Sequence, residues 1–400
     1  MTEFNTSTLI SFSALGYTAT WWALTLPFVF LIGLLFYAIT VAKKWKIFNG
    51  ISVAHYFSER YGCDVGYFVA IILFLAMIGF SATYVKSLTL VFLPVFPLHN
   101  SWILSALLVF MILLMTLRGG LISIIRIDII SFIIILFFLP TLLYYTWHLS
   151  NLEPVPSLTL QEMQCILPTQ FIISLILLTM FSYILAPWYG QKIVAADSPR
   201  TAFLAVICAA ILIFLFYGIG IIATSLLKLK GIALTQPELA LPYLIHFALP
   251  VWLRGLAYGI LFCVAATTLA GVWSAMVTLT IGYLPRKQNA NTLKFSVLMT
   301  IMCAILSYYG ANLFVDQVFN KMLLANIPIV ALSFALLSGF YWEKTSRFGV
   351  YISIIIGLIW GIGCYYIFGD KGLYTWYWAL YGIPLIFASG ILGSVVFPTR

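Results

Sequence analysis

Two adjacent threonines, Thr267 and Thr268, stand in the middle of an apolar run, GILFCVAATTLAGVWSA. Hydroxyls in such a place can simply bond back to the preceding turn of their own helix. Together with the carbonyl of Val264, one turn earlier, they also put three oxygens on one side of a helix, which suits a hard monovalent cation. One helix supplies only half of such a site, so the remaining ligands have to come from another. Asp128 lies in RGGLISIIRIDIISFIIILF, two positions after Arg126 and therefore on a different helix face. Arg126 can snorkel to the surface, whereas Asp128 needs a cavity, a cation, a hydroxyl or water at the helix end. Lys86, in MIGFSATYVKSLTLVF, has apolar neighbours for more than a turn on each side. It either neutralises an anionic solute, takes a cation's place, or snorkels to the outer surface. The segment Ala186-Pro187-Trp188-Tyr189-Gly190-Gln191 combines a residue that removes a helical hydrogen bond with one that permits unwinding. It is either a break that lines a cavity or a helix end with an aromatic belt.

The elements carrying these residues have to be membrane helices. Of the 400 residues, 63% are hydrophobic and 8% charged, against roughly a quarter charged in soluble domains. Soluble enzyme folds, nucleic-acid modules and disulfide scaffolds are thereby excluded, and a non-enzyme is expected. The net charge of +9 marks no basic domain, because 20 Lys and Arg are spread along the whole chain. The six cysteines lack paired spacing and read as packing residues. His55, His99, His148 and His246 share no ligand spacing, so no metal beyond a monovalent cation is expected.

Eleven apolar stretches are long enough to span a bilayer: 21–42, 65–93, 101–117, 121–147, 167–190, 200–227, 251–284, 293–309, 320–341, 348–368 and 374–397. A twelfth, 6–18, reaches only about 20 Å of a core of about 30 Å, and reads as a half-helix. Lys and Arg in the loops and at the span ends divide thirteen to five between alternate sides. The loop at 43–64 is therefore expected in the cytoplasm and the loop at 148–166 outside. No linker divides the chain, and a single integral membrane domain is expected.

In order along the chain, several stretches resemble the sodium:solute symporter family. They are ISVAHYFSERYG, RGGLISIIRIDIISFIIILF, WYGQKIVAADSPRTAF, LPYLIHFALPVWLRGLAYGILFCVAATTLAG and GFYWEKTSRFGVYISIIIGLIWGI. The resemblance implies an all-α inverted-repeat bundle of the leucine-transporter type, with two five-helix units. Residues 1–147 would form the first repeat, 167–341 the second, and 348–397 two trailing helices. The half-helix and the Pro187 helix would be the two broken helices.

The same resemblance implies a sodium site made by the hydroxyls of Thr267 and Thr268 and the carbonyls of Val264, Met1 and Phe4. It implies a solute site among Ser7, Thr8, Tyr84, Lys86, Tyr183 and Trp188, with Asp128 and Gln191 along the cytoplasmic release path. The family has a further leading helix and a cytoplasmic half of the first broken helix, both of which are expected to be absent here. Ala270 stands where many relatives have Asp, and Lys86 where they often have a neutral polar residue.

The function implied is sodium-coupled uptake of a small polar solute by alternating access, with no organic cofactor and no nucleic-acid partner. The setting implied is a bilayer such as a bacterial inner membrane. Proton-coupled or sodium-independent transport, and a non-transporting, sensor-like or shortened relative, are the alternatives.

Overall fold

The computed structural model describes residues 3–48, 52–96, 100–149, 158–185, 193, 196–281, 290–370 and 373–398, and it contains no strand among them. By length and apolar composition nine of the described helices can cross a membrane, or ten if a pair bent by 50° counts as one. The expected inventory was eleven and a half. The difference comes from how two helical stretches join their neighbours.

The first is residues 6–47. Helix α1 (Thr6–Ala19) passes through a 3-10 turn, Thr20–Leu24, into α2 (Thr25–Tyr37), then through a π-helical turn into α3 (Lys43–Ile47). Contacts with α9 (Pro199–Leu229) show that the chain reverses at that turn. Along α1, Asn5 meets Tyr217, and Gly16 approaches Ile221 and Thr224. Along α2 the order runs the other way: Leu24 approaches Gly218, Phe28 packs on Phe214, and Lys43 sits over the ring of Phe203. Thr20, with a φ of 49°, makes the corner. α1 is therefore separate from α2, and its 14 residues span about 21 Å.

The second stretch is α6 (Ser101–Trp147), whose backbone is helical throughout its 47 residues, including the Arg118-Gly119-Gly120 segment where a loop was expected. Ser105 is bonded by Asn312, near the end of α12 (Ala290–Leu313), and Trp147 by Lys230, just past the end of α9. α9 and α12 are separated by the one span α11 (Val251–Ile281), so both ends of α6 lie on the same side of the bundle. The expected spans 101–117 and 121–147 are thus joined through helical residues.

Between these come α4 (Val53–Tyr61) and α5 (Cys63–Phe92), followed by the bent pair α7 (Leu160–Ile166) and α8 (Thr169–Tyr183). After α9, the short helix α10 (Ala240–Tyr243) precedes α11. The span expected over 320–341 is one membrane-crossing stretch, Val318–Tyr341, made of α13 (Val318–Ala325), α14 (Ile327–Ala331) and α15 (Ser333–Tyr341), with single-residue interruptions at Asn326, two residues before Pro328, and at Leu332. Helices α16 (Arg347–Phe368), α17 (Tyr374–Tyr377) and α18 (Ile383–Val396) close the chain.

α1 is buried except at Leu15 and Thr18. Its mixture of small, hydroxyl and apolar residues around every face fits a helix with protein on all sides. It packs against α5, α9, α11 and α13, which makes this half-helix the centre of the bundle.

Candidate functional site

α1 begins beside Tyr217, near the middle of α9. Residues 3–5 there have non-helical backbone, with Asn5 at φ −128° and ψ 158°. In hydrocarbon such backbone must find its partners inside the protein. The Tyr217 hydroxyl supplies two, donating to the Glu3 carbonyl at 2.8 Å and accepting from the Asn5 N–H at 3.2 Å. Asn5 caps the helix by accepting from the Thr8 N–H at 2.8 Å, and its amide donates to the Glu3 carbonyl at 3.0 Å. At the far end of α1, Tyr17 donates to the Ile232 carbonyl at 2.8 Å and accepts from the Leu234 N–H at 2.9 Å. A tyrosine hydroxyl thus fixes each end of the half-helix.

In front of α1 lies a cavity of about 50 Å³ enclosed by α1, α2, α5, α8, α13 and α14. Its polar edge is Glu3, Asn5, Thr8, Tyr84, Thr179, Ser182, Tyr183 and Asn326, and its apolar edge includes phenylalanines of α2, α5 and α13. Thr8, Tyr84 and Tyr183 were all expected near a solute, and this cavity brings them together. Ser7 faces elsewhere: its hydroxyl donates to Ser87 Oγ at 3.0 Å. Lys86 is only half-buried, and its charge bears on Glu238, in the turn Pro237–Leu239 before α10. Burial pushes the Glu238 carboxyl above the usual carboxylate range, against the pull of the Val318 N–H at 3.0 Å and of Lys86. Lys86 therefore serves the rim of the bundle and does not line the cavity.

Glu3 was not singled out from the sequence. Its side chain is 8% exposed, and the Tyr183 hydroxyl donates to Oε1. The available signal was an acidic residue directly before an apolar half-helix.

Behind Glu3 a second cavity, of about 470 Å³, runs between α2, α6 and α9. It is largely apolar, with Asp128 and Glu3 as its acidic groups. Asp128 is buried and Arg126 exposed, as the two-residue offset implies. Glu3 is the one described residue that lines both cavities.

Thr267 and Thr268 are buried in α11. Their hydroxyls donate to the Val264 carbonyl at 3.2 and 2.8 Å. That carbonyl is occupied by two protons, while the threonine lone pairs are turned away from it and remain available as acceptors. Phe4, the other described member of the expected ion site, is buried and stacks on Tyr217, with ring centroids 5.3 Å apart. Its carbonyl belongs to the non-helical segment. Met1, Trp188 and Gln191 lie outside the described residues, as does the expected break at Pro187, and α8 itself ends at Tyr183. Among the described residues no group of three His, Cys, Asp or Glu could hold a metal, and the cysteines are free thiols.

Among solved structures, the chain is similar to a Na+-coupled sialic acid symporter in a substrate-bound, outward-open state that carries a novel Na+ site. The TM-score is 0.76, over 99% of this chain and 88% of that one, at 15% identity. No family model matches the chain, and no curated protein does. At this identity the likeness establishes the fold: an all-α, multi-pass membrane bundle.

Proposed function

We propose that this chain is a secondary active transporter of the sodium:solute symporter type, taking up a small polar solute with sodium across a plasma membrane such as a bacterial inner membrane. The observation that carries this reading is the start of α1: non-helical backbone at mid-bundle, on a helix that packs against α11 with its paired threonines. Irregular backbone at membrane depth is tolerated where it lines a cavity, and a carbonyl outside the helical ladder, as that of Phe4 is, is what a desolvated cation needs. Sodium would take the hydroxyl oxygens of Thr267 and Thr268 and the carbonyls of Met1, Phe4 and Val264, turning the two threonine protons away from the Val264 carbonyl and tying α11 to α1. Solute would occupy the cavity at Thr8, Tyr84 and Tyr183, with Trp188 beyond. Release toward the side of Lys43, Lys44 and Lys46 would follow the larger cavity past Asp128 and Gln191. A ligand that favours one of two conformations shifts their populations by its difference in affinity, which is how sodium would drive access from one side to the other.

A proton-coupled reading has one observation in its favour, the carboxyl of Glu3 between the two cavities. Melting of the purified, solubilised protein in matched sodium and potassium chloride separates the two. Bound sodium at a hundredfold excess over its Kd should stabilise the fold by about 2.7 kcal/mol, seen as a higher melting temperature in sodium. Identical melting in the two salts rejects sodium as the coupling ion.

A further inference from the structure

Among the described residues, the lining of the small cavity contains one acidic side chain, Glu3, and no Lys, Arg or His. Glu3 sits just before the first turn of α1, where the unpaired N–H groups of a half-helix give a partial positive charge. At membrane depth, such a terminus is where an anionic solute group would bind. Here the protein's own carboxyl is already beside it. A solute carboxylate entering the cavity would have to share it with a second carboxyl, with no side-chain cation among the described lining residues to offset it.

The remaining groups favour the opposite charge. Thr8, Tyr84, Tyr183 and Asn326 offer oxygen acceptors, and Phe30 and Phe80 offer ring faces. Carboxylate, hydroxyl oxygens and aromatic rings are the set that holds a desolvated ammonium. Among the described residues, the titratable side chains around Glu3 are phenols or acids: Tyr84 on α5, Tyr183 on α8, Tyr217 on α9, and Tyr37 and Asp128 across the larger cavity. A volume of about 50 Å³ admits a few heavy atoms, the size of an amine head group.

We infer that the solute is a small organic cation bearing a protonated amine, with Glu3 as its counter-ion. This rests on the transport reading for the site, though not on the identity of the coupling ion.

The test uses the full chain in lipid nanodiscs, titrated with n-propylammonium, n-propanol and propanoate, with thermal stabilisation as the readout. Propylammonium should stabilise the protein, and the neutral and anionic probes should not. Glu3→Gln should weaken propylammonium binding by about tenfold to a hundredfold, the cost of removing a charged hydrogen-bond partner. Glu3→Asp should restore part of it. Circular dichroism of both variants guards against loss of folding. Propanoate binding more tightly than propylammonium, or Glu3→Gln binding propylammonium as wild type does, overturns the inference. If propylammonium binds through Glu3 but radiolabelled propylammonium enters no proteoliposome under any sodium or proton gradient, the transport reading fails and the assignment of the cavity stands.

Discussion

Replacing both Thr267 and Thr268 with alanine should erase the sodium-dependent rise in melting temperature while leaving the protein folded. Each hydroxyl donates only to the Val264 carbonyl of its own helix, at 3.2 and 2.8 Å. Losing both bonds costs little, since hydrogen bonds inside membrane bundles average about 0.6 kcal/mol. The carbonyl keeps its place in the helical ladder, so no buried polar group is orphaned. The effect on the ion is much larger. An oxygen contact to a charged group is worth about 1.5–3 kcal/mol, so two lost ligands should weaken sodium by more than about a hundredfold. Melting in sodium and potassium, wild type beside variant, reads both effects at once. A variant that melts like wild type in potassium and still gains stability in sodium removes the threonine pair from the site.

Gly349→Val should abolish folding of the closing hairpin. A Cβ at Gly349 would lie 2.1 Å from Ser394 Oγ and 2.6 Å from the Gly390 carbonyl, so α16 and α18 meet nearly backbone to backbone. Ser394 adds to the seam, accepting from the Ser346 N–H at 3.2 Å and donating to the Gly390 carbonyl at 2.8 Å. Small residues that allow such approach are the usual glue of membrane helices, which have little hydrophobic drive between them. Overpacking a tight core costs about 1–3 kcal/mol where side chains can move. Here a backbone carbonyl cannot, and the expected loss exceeds about 3 kcal/mol. Size-exclusion chromatography of solubilised Gly349→Val should show aggregate, and Gly349→Ala, whose methyl meets the same carbonyl, should also lose most of its monodisperse peak.

Much of the architecture was readable from hydropathy because each span is fixed by its own length, and the half-helix by its shortness. The separation of 6–18 from 21–42 and of 101–117 from 121–147 was readable as well. That the joint at 118–123 keeps a helical backbone was not, because Arg118-Gly119-Gly120 has the composition of a loop. The paired threonines stood out because hydroxyls are rare in such a run, and the meeting of Thr8, Tyr84 and Tyr183 at one cavity follows from their places on broken or neighbouring helices. Lys86 shows the opposite case. Its sequence surroundings resemble those of a cavity residue, yet the rotation of α5 presents Ser87 to α1 and leaves Lys86 toward Glu238. Glu3 depended on long-range pairing, with Tyr183 and Tyr217 180 and 214 residues away. Asn326 became a cavity residue because Pro328 interrupts its span, a break visible in the sequence once Pro is weighed inside an apolar run.

The claim at the centre of this account is that sodium binds at mid-bundle and moves charge through the membrane field. The direct measurement is the transient current from proteoliposomes on a solid-supported membrane after a jump from potassium to sodium at constant ionic strength and pH. A sodium-evoked current in wild type that vanishes in the Thr267→Ala/Thr268→Ala variant is the predicted result. No current on the sodium jump, with a clear current on a pH jump instead, would contradict it.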